Sequence, residues 1–406
     1  MLEESETIGQ RIRRARLRLG LTQADLAAEV RRTQGWISKV EKGAVELDRT
    51  SLINELANAL HLHPNDLIER PYTGSAASNQ WQISAAACLR EMRRYDLAPT
   101  FDGTPRSSRL LWRETQHLHA LRDKAANTEI LRRLPDLLRE SRALVEVSTG
   151  REKEEAYAVY AITCKFGHTA AHALGHPELI TMSCERAAWA AQRSGDELMP
   201  AVADWMRVWD MWATADWDDA TRLSDRALQT AEPAYRRGDP LGLRVWGALQ
   251  LRAAVSAARG NRAAESDHRI ALAQEAATRL GRAPEFDRHS LTFSPGNVQI
   301  HNVNVALELG DHTEALVRHQ KVEPQAIDAL PQSRRGHYRM DLARAYLWSG
   351  DRMRAVAELE KAERFAPQLI RNHPIARATL RRIVYAERMS LRDRLRRMSD
   401  RFHLDE

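Results

Sequence analysis

Apolar residues Ile8, Ile12, Leu17 and Leu19 recur at roughly helical spacing and stop before Gly20, whose freedom at positive φ suits a helix end. Thr22-Gln23-Ala24-Asp25 has the order of a capping box, so a second, short helix is predicted from there to Val30. Thr33 is placed to cap a third, Gln34 to Glu41, which Lys42-Gly43 stops. Asp48 is expected to cap a fourth running through Leu52, Leu56 and Leu60, and Pro64 to open a last turn. Short helices with the second and third joined by a tight link follow the helix-turn-helix plan, in which the third enters the major groove.

The pattern then changes. Pro71 to Asn79 is small, polar and rich in breakers, and Ala98 to Arg106 contains Pro99, Asp102-Gly103 and Pro105. From about residue 107 the chain reads as helix after helix. A turn of the form Gly-x-x-x-x-Ala recurs, clearest at Gly310 to Ala315 and Gly350 to Ala355. Looser copies stand at Gly175, Ala215 and Gly260, so the turns are 40, 45, 50 and 40 residues apart, room for two antiparallel helices each. The arginine-rich stretch Ile375 to Phe402 reads as one amphipathic helix capping the repeats. The division expected is a DNA-binding domain at 1–70, a linker and irregular segment at 71–106, repeats at 107–374 and a capping helix at 375–406.

Composition narrows the function. A chain of 406 residues exceeds what one core usually supports. The net charge of +6 and pI near 9.4 give a mild bias toward polyanions, but charge is balanced over residues 1–70, so local placement must carry any attraction to DNA. No run approaches 18 apolar residues and the first ten are acidic and polar, which predicts a cytoplasmic protein without a membrane partner. Cys88, Cys164 and Cys184 are too scattered for a disulfide framework and read as buried thiols. Cys164, His168, His172 and His176 recur every four residues, yet packing explains His168 better than a metal does. With no phosphate-binding loop, GxSxG, CxxC pair or HExxH, neither an enzyme nor a cofactor is expected.

Over residues 8–69, Leu21-Thr22-Gln23, Leu26-Ala27, Ile37-Ser38, Glu41, Gly43 and Leu56-Ala57 fall at the spacing of the phage repressor and Cro type of helix-turn-helix, the XRE family, which this segment resembles. The resemblance implies that Gln23 touches a phosphate at a helix N-terminus. It further implies that Thr33, Gln34, Gly35 and Lys39 face base edges: Gln34 gripping adenine, Thr33 meeting a thymine methyl, Lys39 reaching guanine or phosphate. Arg31, Arg32, Trp36 and Ser38 complete the expected DNA-contacting set, with Trp36 open between core and sugar-phosphate packing. Arg31 stands where the family often has Gly, which predicts a left-handed backbone there.

Leu342, Ala343, Tyr346, Gly350, Ala355, Leu359, Ala362 and Pro367 resemble a tetratricopeptide repeat. The fold expected is therefore all-α: a five-helix lambda-repressor-like domain followed by an α-solenoid of tetratricopeptide-like hairpins. In such repeats the first helix of each pair lines a concave groove. Counting back from the turns places Trp205, Trp209, Trp212, Gln250, Asn297, Asn304 and Arg344 there as effector contacts, with Ile300, Leu307, Lys165, His172, His337 and Met340 beside them. Tryptophans with interspersed amides suit a peptide or a flat small molecule. The architecture resembles peptide-sensing regulators of Gram-positive bacteria and regulators of actinobacteria. It implies a homodimer that binds double-stranded operator DNA and responds to an effector in the groove. The alternative is a regulator or scaffold whose solenoid holds a partner protein, with no small effector.

Overall fold

Thr7 and Thr22 each accept a hydrogen bond from the N–H three residues on, and Gln10 and Asp25 reach back to the capping N–H groups. These boxes fix the starts of α1 (Ile8–Arg18) and α2 (Gln23–Glu29) in the computed structural model. Residues 7–62, 64–68, 76–281, 287–385 and 392–402 are described, and every regular element among them is an α-helix. Thr33 caps α3 (Gln34–Glu41), while α4 (Thr50–Ala59) and α5 (Pro64–Leu67) complete the first unit. Ile12, Leu26, Ile37, Val40, Ile53 and Leu56 are at most 2% exposed and form its core, each contributing roughly 1.5–3 kcal/mol of burial. Leu17 and Leu19, by contrast, face solvent. Arg31 has φ of 51°, the left-handed conformation that its position in the link demands.

Asp48 does not cap α4. The cap position is Arg49, without a side-chain hydrogen bond, because Asp48 is drawn to distant partners: Arg382 at 2.6 Å and the indole N–H of Trp348.

The second unit is a stack of helices. It starts with α6 (Ala76–Arg93), α7 (Ser108–Asp123) and α8 (Asn127–Val147). Hairpins follow: α9 (Gly150–Leu174) with α10 (Pro177–Ala191), α11 (Met199–Ala213) with α12 (Trp217–Arg236), and α13 (Pro240–Arg259) with α14 (Ala263–Leu280). α15 (Pro295–Glu308) pairs with α16 (His312–Gln320); then come α17 (Pro324–Asp328) and the pair α18 (Gln332–Trp348) and α19 (Arg352–Phe365). α20 (Pro367–Asn372), α21 (Pro374–Tyr385) and α22 (Arg392–Phe402) close the stack. All five expected turns join hairpins, through left-handed residues at Gly175, Ala215, Asn261, Gly310 and Gly350. At the third, Asn261 carries the positive φ of 58° in place of Gly260, whose φ is −77°.

Two expected boundaries change. Residues 71–75 lie outside the described residues, but 76–93 form the full helix α6, packed on α8 and α10 through Ala85, Cys88, Leu89 and Met92. Among the described residues of 71–106, the irregular part is thus the stretch after α6. The expected single C-terminal helix is two, α21 and α22, with 386–391 outside the described residues; Leu395, Met398 and Phe402 bury the inner face of α22.

The stack curves until its ends meet: α7 touches α18, and α9 touches α20. The loop before α15 enters the concavity, where the Ser290 carbonyl, on a residue with φ of 53°, accepts from Lys165 Nζ at 2.7 Å and from Arg122. The first unit sits on this assembly through α4, whose Asn54 amide donates to the Trp212 carbonyl of α11.

Candidate nucleic-acid interface and central cavity

Thr33, Gln34, Gly35 and Lys39 are exposed, whereas Ile37 and Val40 of the same helix are buried, so α3 presents one polar face to solvent. Behind that face lies a relay of hydrogen bonds. Gln34 Nε2 donates to Gln23 Oε1 at 3.0 Å, and Gln23 Nε2 donates to Glu41 Oε2 at 2.8 Å. Glu41 in turn holds Arg16 at 2.6 and 3.1 Å, a buried ion pair with side chains 3% and 8% exposed. Burial works against the Glu41 charge, but the bonds from Arg16 and Gln23 outweigh it and keep the carboxyl below its ordinary value. The relay holds Gln34 with its amide at the surface. Arg31 and Arg32 are exposed in the link, and Arg32 lies 5.5 Å from the Trp36 ring centroid. Trp36 also packs partly against the core. Ser38 is half-buried on α3.

A cavity of about 410 Å³ occupies the concave side of the stack, within the range of small-ligand sites. Trp205, Trp209, Trp212, Asn297, Asn304 and Arg344 line it, as do Lys165, His172, Ile300, His337 and Met340. The repeat register brings these together from α9, α11, α15 and α18. Gln250 is a correction: it is buried away from the cavity, its amide oxygen turned toward Arg269 of α14. The cause is its place on α13, where Ala248, Leu251, Arg252, Val255 and Arg259 are the residues that face inward. Leu307 is likewise buried among the side chains of α15, α16 and α18.

The register did not reveal the other walls. Thr50, Ile53 and Ile68 come from the first unit, and Ser290, Leu291 and Thr292 from the inserted loop. Nor did it reveal the charge. Arg122, Lys165, Arg252, Arg259, Arg334 and Arg344 line the cavity against only Glu308 and Asp341. Arg259 and Arg344 share Glu308 at 3.0 and 3.5 Å, and Arg122 has Asp123 at 2.8 Å. Among the described residues, no carboxylate stands within ion-pair distance of Lys165, Arg252 or Arg334. Arg252 instead stacks 3.7 Å from the Trp205 centroid and 4.8 Å from that of Trp209. Cation–π attraction of ~1–2 kcal/mol falls short of a desolvation cost of several kcal/mol per buried ion. Burial and neighbouring arginines therefore push Lys165 and Arg252 well below their ordinary pKa values and bring Arg334 to about 10.

Other polar groups point the same way. Burial lowers His301 and His373 to about 3 and His337 to about 4, which keeps these rings neutral at pH 7. Asp341, raised by burial to about 6, accepts from Asn304 at 3.0 Å. Asn297 donates to the Thr292 carbonyl at 2.9 Å, while its own Oδ1 has no partner. His168 is fully buried beside His172 and Trp209, with ring centroids 4.6 and 5.4 Å away.

Residues 7–70 match the family described as "Helix-turn-helix domain". No curated protein matches the chain. Among solved structures, Bacillus thuringiensis PlcR in complex with the peptide PapR7 and DNA aligns over 90% of this chain and 96% of that chain, at 12% identity and a TM-score of 0.28. The family match and the capped, polar-faced α3 agree, and the chain is a helix-turn-helix domain seated on a body of helical hairpins.

Proposed function

We propose that the protein is a sequence-specific, DNA-binding transcriptional regulator whose helical-repeat body binds an effector and holds two copies together. The observation that carries this reading is the Arg16–Glu41–Gln23–Gln34 relay, which ends in an exposed amide on a solvent-facing helix. A helix serving only protein contacts has no need of a buried ion pair to orient a surface glutamine. Arg31, Arg32 and Lys39 supply phosphate attraction on the same side, and Thr33 and Gly35 let a base edge approach.

The cavity supports the effector half of the proposal. Its wall is shared by α4 of the DNA-binding unit and by the repeats, so a ligand that fills it touches both. A ligand that favours one arrangement of these parts shifts the population of the DNA-competent state. Enclosure by α4 and the inserted loop favours a compact effector over a partner protein laid along an open groove.

The test is selection of fragmented genomic DNA by the purified full chain at a stated salt concentration. A homodimer is expected to enrich a palindrome with half-site centres about one DNA turn apart, ~34 Å. No enrichment, with or without a cell extract as a source of effector, would sink the proposal.

A further inference from the structure

The central cavity holds more positive charge than its own residues neutralise, and that excess defines what belongs there. We infer that the cavity binds a compact anion, a small molecule whose carboxylate or phosphate group sits between Lys165, Arg252 and Arg334 and whose planar apolar body lies toward Trp209 and Ile53. The inference rests on the effector reading above and gives it a ligand class.

Three observations carry it. Lys165 and Arg252 come from different helices, α9 and α13, yet both stand over the ring of Trp205, 5.3 and 3.7 Å from its centroid. Two like charges sharing one ring repel each other, and a fold has no reason to bury them together without a counter-charge. Second, Arg252 is 8% exposed, lines the cavity, and has Nη1 with no hydrogen-bond partner. Lys165, 2% exposed, donates its hydrogen bond to the neutral Ser290 carbonyl. Third, the carboxylates that do line the cavity are already engaged: Glu308 by Arg259 and Arg344, Asp341 by Arg344 and Asn304. They cannot also neutralise the cluster at Trp205.

Charge also decides against other occupants. A cationic ligand meets repulsion, and a neutral one leaves the buried cations as costly as before. The apolar end is set by Trp209, Trp212, Ile53 and Ile68, and the unpartnered Asn297 Oδ1 offers an acceptor for one hydroxyl or N–H of the ligand.

The test uses the full chain and three probes of similar size: phenyl phosphate, phenylacetate and the neutral benzyl alcohol. At millimolar probe and matched ionic strength, one or both anions are expected to raise the thermal midpoint by a few degrees, and benzyl alcohol to leave it unchanged. The stronger of the two anions names the phosphate or the carboxylate as the source. Arg252→Gln and Lys165→Met are each expected to weaken anion binding at least tenfold. Lys165→Met without probe should melt no lower than the parent, since it removes an uncompensated buried charge. The inference is overturned if benzyl alcohol acts like the anions, if both variants respond as the parent does, or if no anion shifts the midpoint. An enriched operator without anion binding would remove this ligand class and leave the regulator; anion binding without DNA enrichment would do the reverse.

Discussion

Gln34 is held in place by residues behind the exposed face of α3. Its amide is oriented by Gln23, Gln23 by Glu41, and Glu41 by Arg16, so the surface residue is fixed from the core outward. The sequence carried Gln34 and Gln23 at family spacing, but nothing in the spacing linked the two side chains. Histidines in the cavity give a second residue-scale consequence. His301, His337 and His373 are depressed by burial to between about 3 and 4, whereas in the unfolded chain they titrate near ~6.5. Below pH 6.5 the unfolded chain takes up protons that the native chain refuses, so stability is full at neutral pH and drains away as pH falls toward 3. Asp341, raised to about 6, runs the other way, its contribution declining as pH climbs from about 4 to 6. The three histidines predict a thermal midpoint that drops between pH 7 and pH 5, and a shallower drop in the double variant His337→Gln, His373→Gln. An identical profile in parent and variant would contradict this account of the rings.

At the scale of elements, local chemistry was legible where it was self-contained. The Thr22/Asp25 box, the limits of α3 and all five hairpin turns followed from short motifs because each is satisfied within a few residues. Long-range partners defeated the same reasoning. Asp48 looks like a cap until Arg382 and Trp348, some 300 positions later, claim its carboxylate. α6 was hidden by the small, polar composition of its first turns, although its later residues bury a full apolar stripe. Gln250 failed because the register of α13 is offset from that of its neighbours. Glycines make the element scale testable. A Cβ on Gly9 would stand 2.3 Å from the Val40 carbonyl oxygen, where α1 crosses α3, whereas one on Gly35 meets nothing. Gly9→Ala is expected to destabilise the helix-turn-helix unit by ~1–3 kcal/mol, and Gly35→Ala to stabilise its helix by up to about 1 kcal/mol. Urea melts of the two variants check this, and equal effects would refute the close α1–α3 crossing.

For the whole molecule, the docking of α4 against α11 places the helix-turn-helix unit on the wall of the central cavity. Trp212 links the two, accepting from Asn54 through its carbonyl and lining the cavity. The repeat register foretold part of the lining, but the cationic excess arises only when α7, α9, α13 and α18 converge, which no local pattern encodes. All of this matters for function only if the exposed face of α3 reads sequence. The most direct measurement is the affinity of the parent and of Gln34→Ala for the selected operator and for a scrambled duplex, at one salt concentration. Gln34→Ala is expected to lose about 1–3 kcal/mol on the operator, roughly five- to 150-fold, and almost nothing on the scrambled duplex. An equal loss on both, or no loss on either, would contradict the assignment of α3 as a sequence-reading helix.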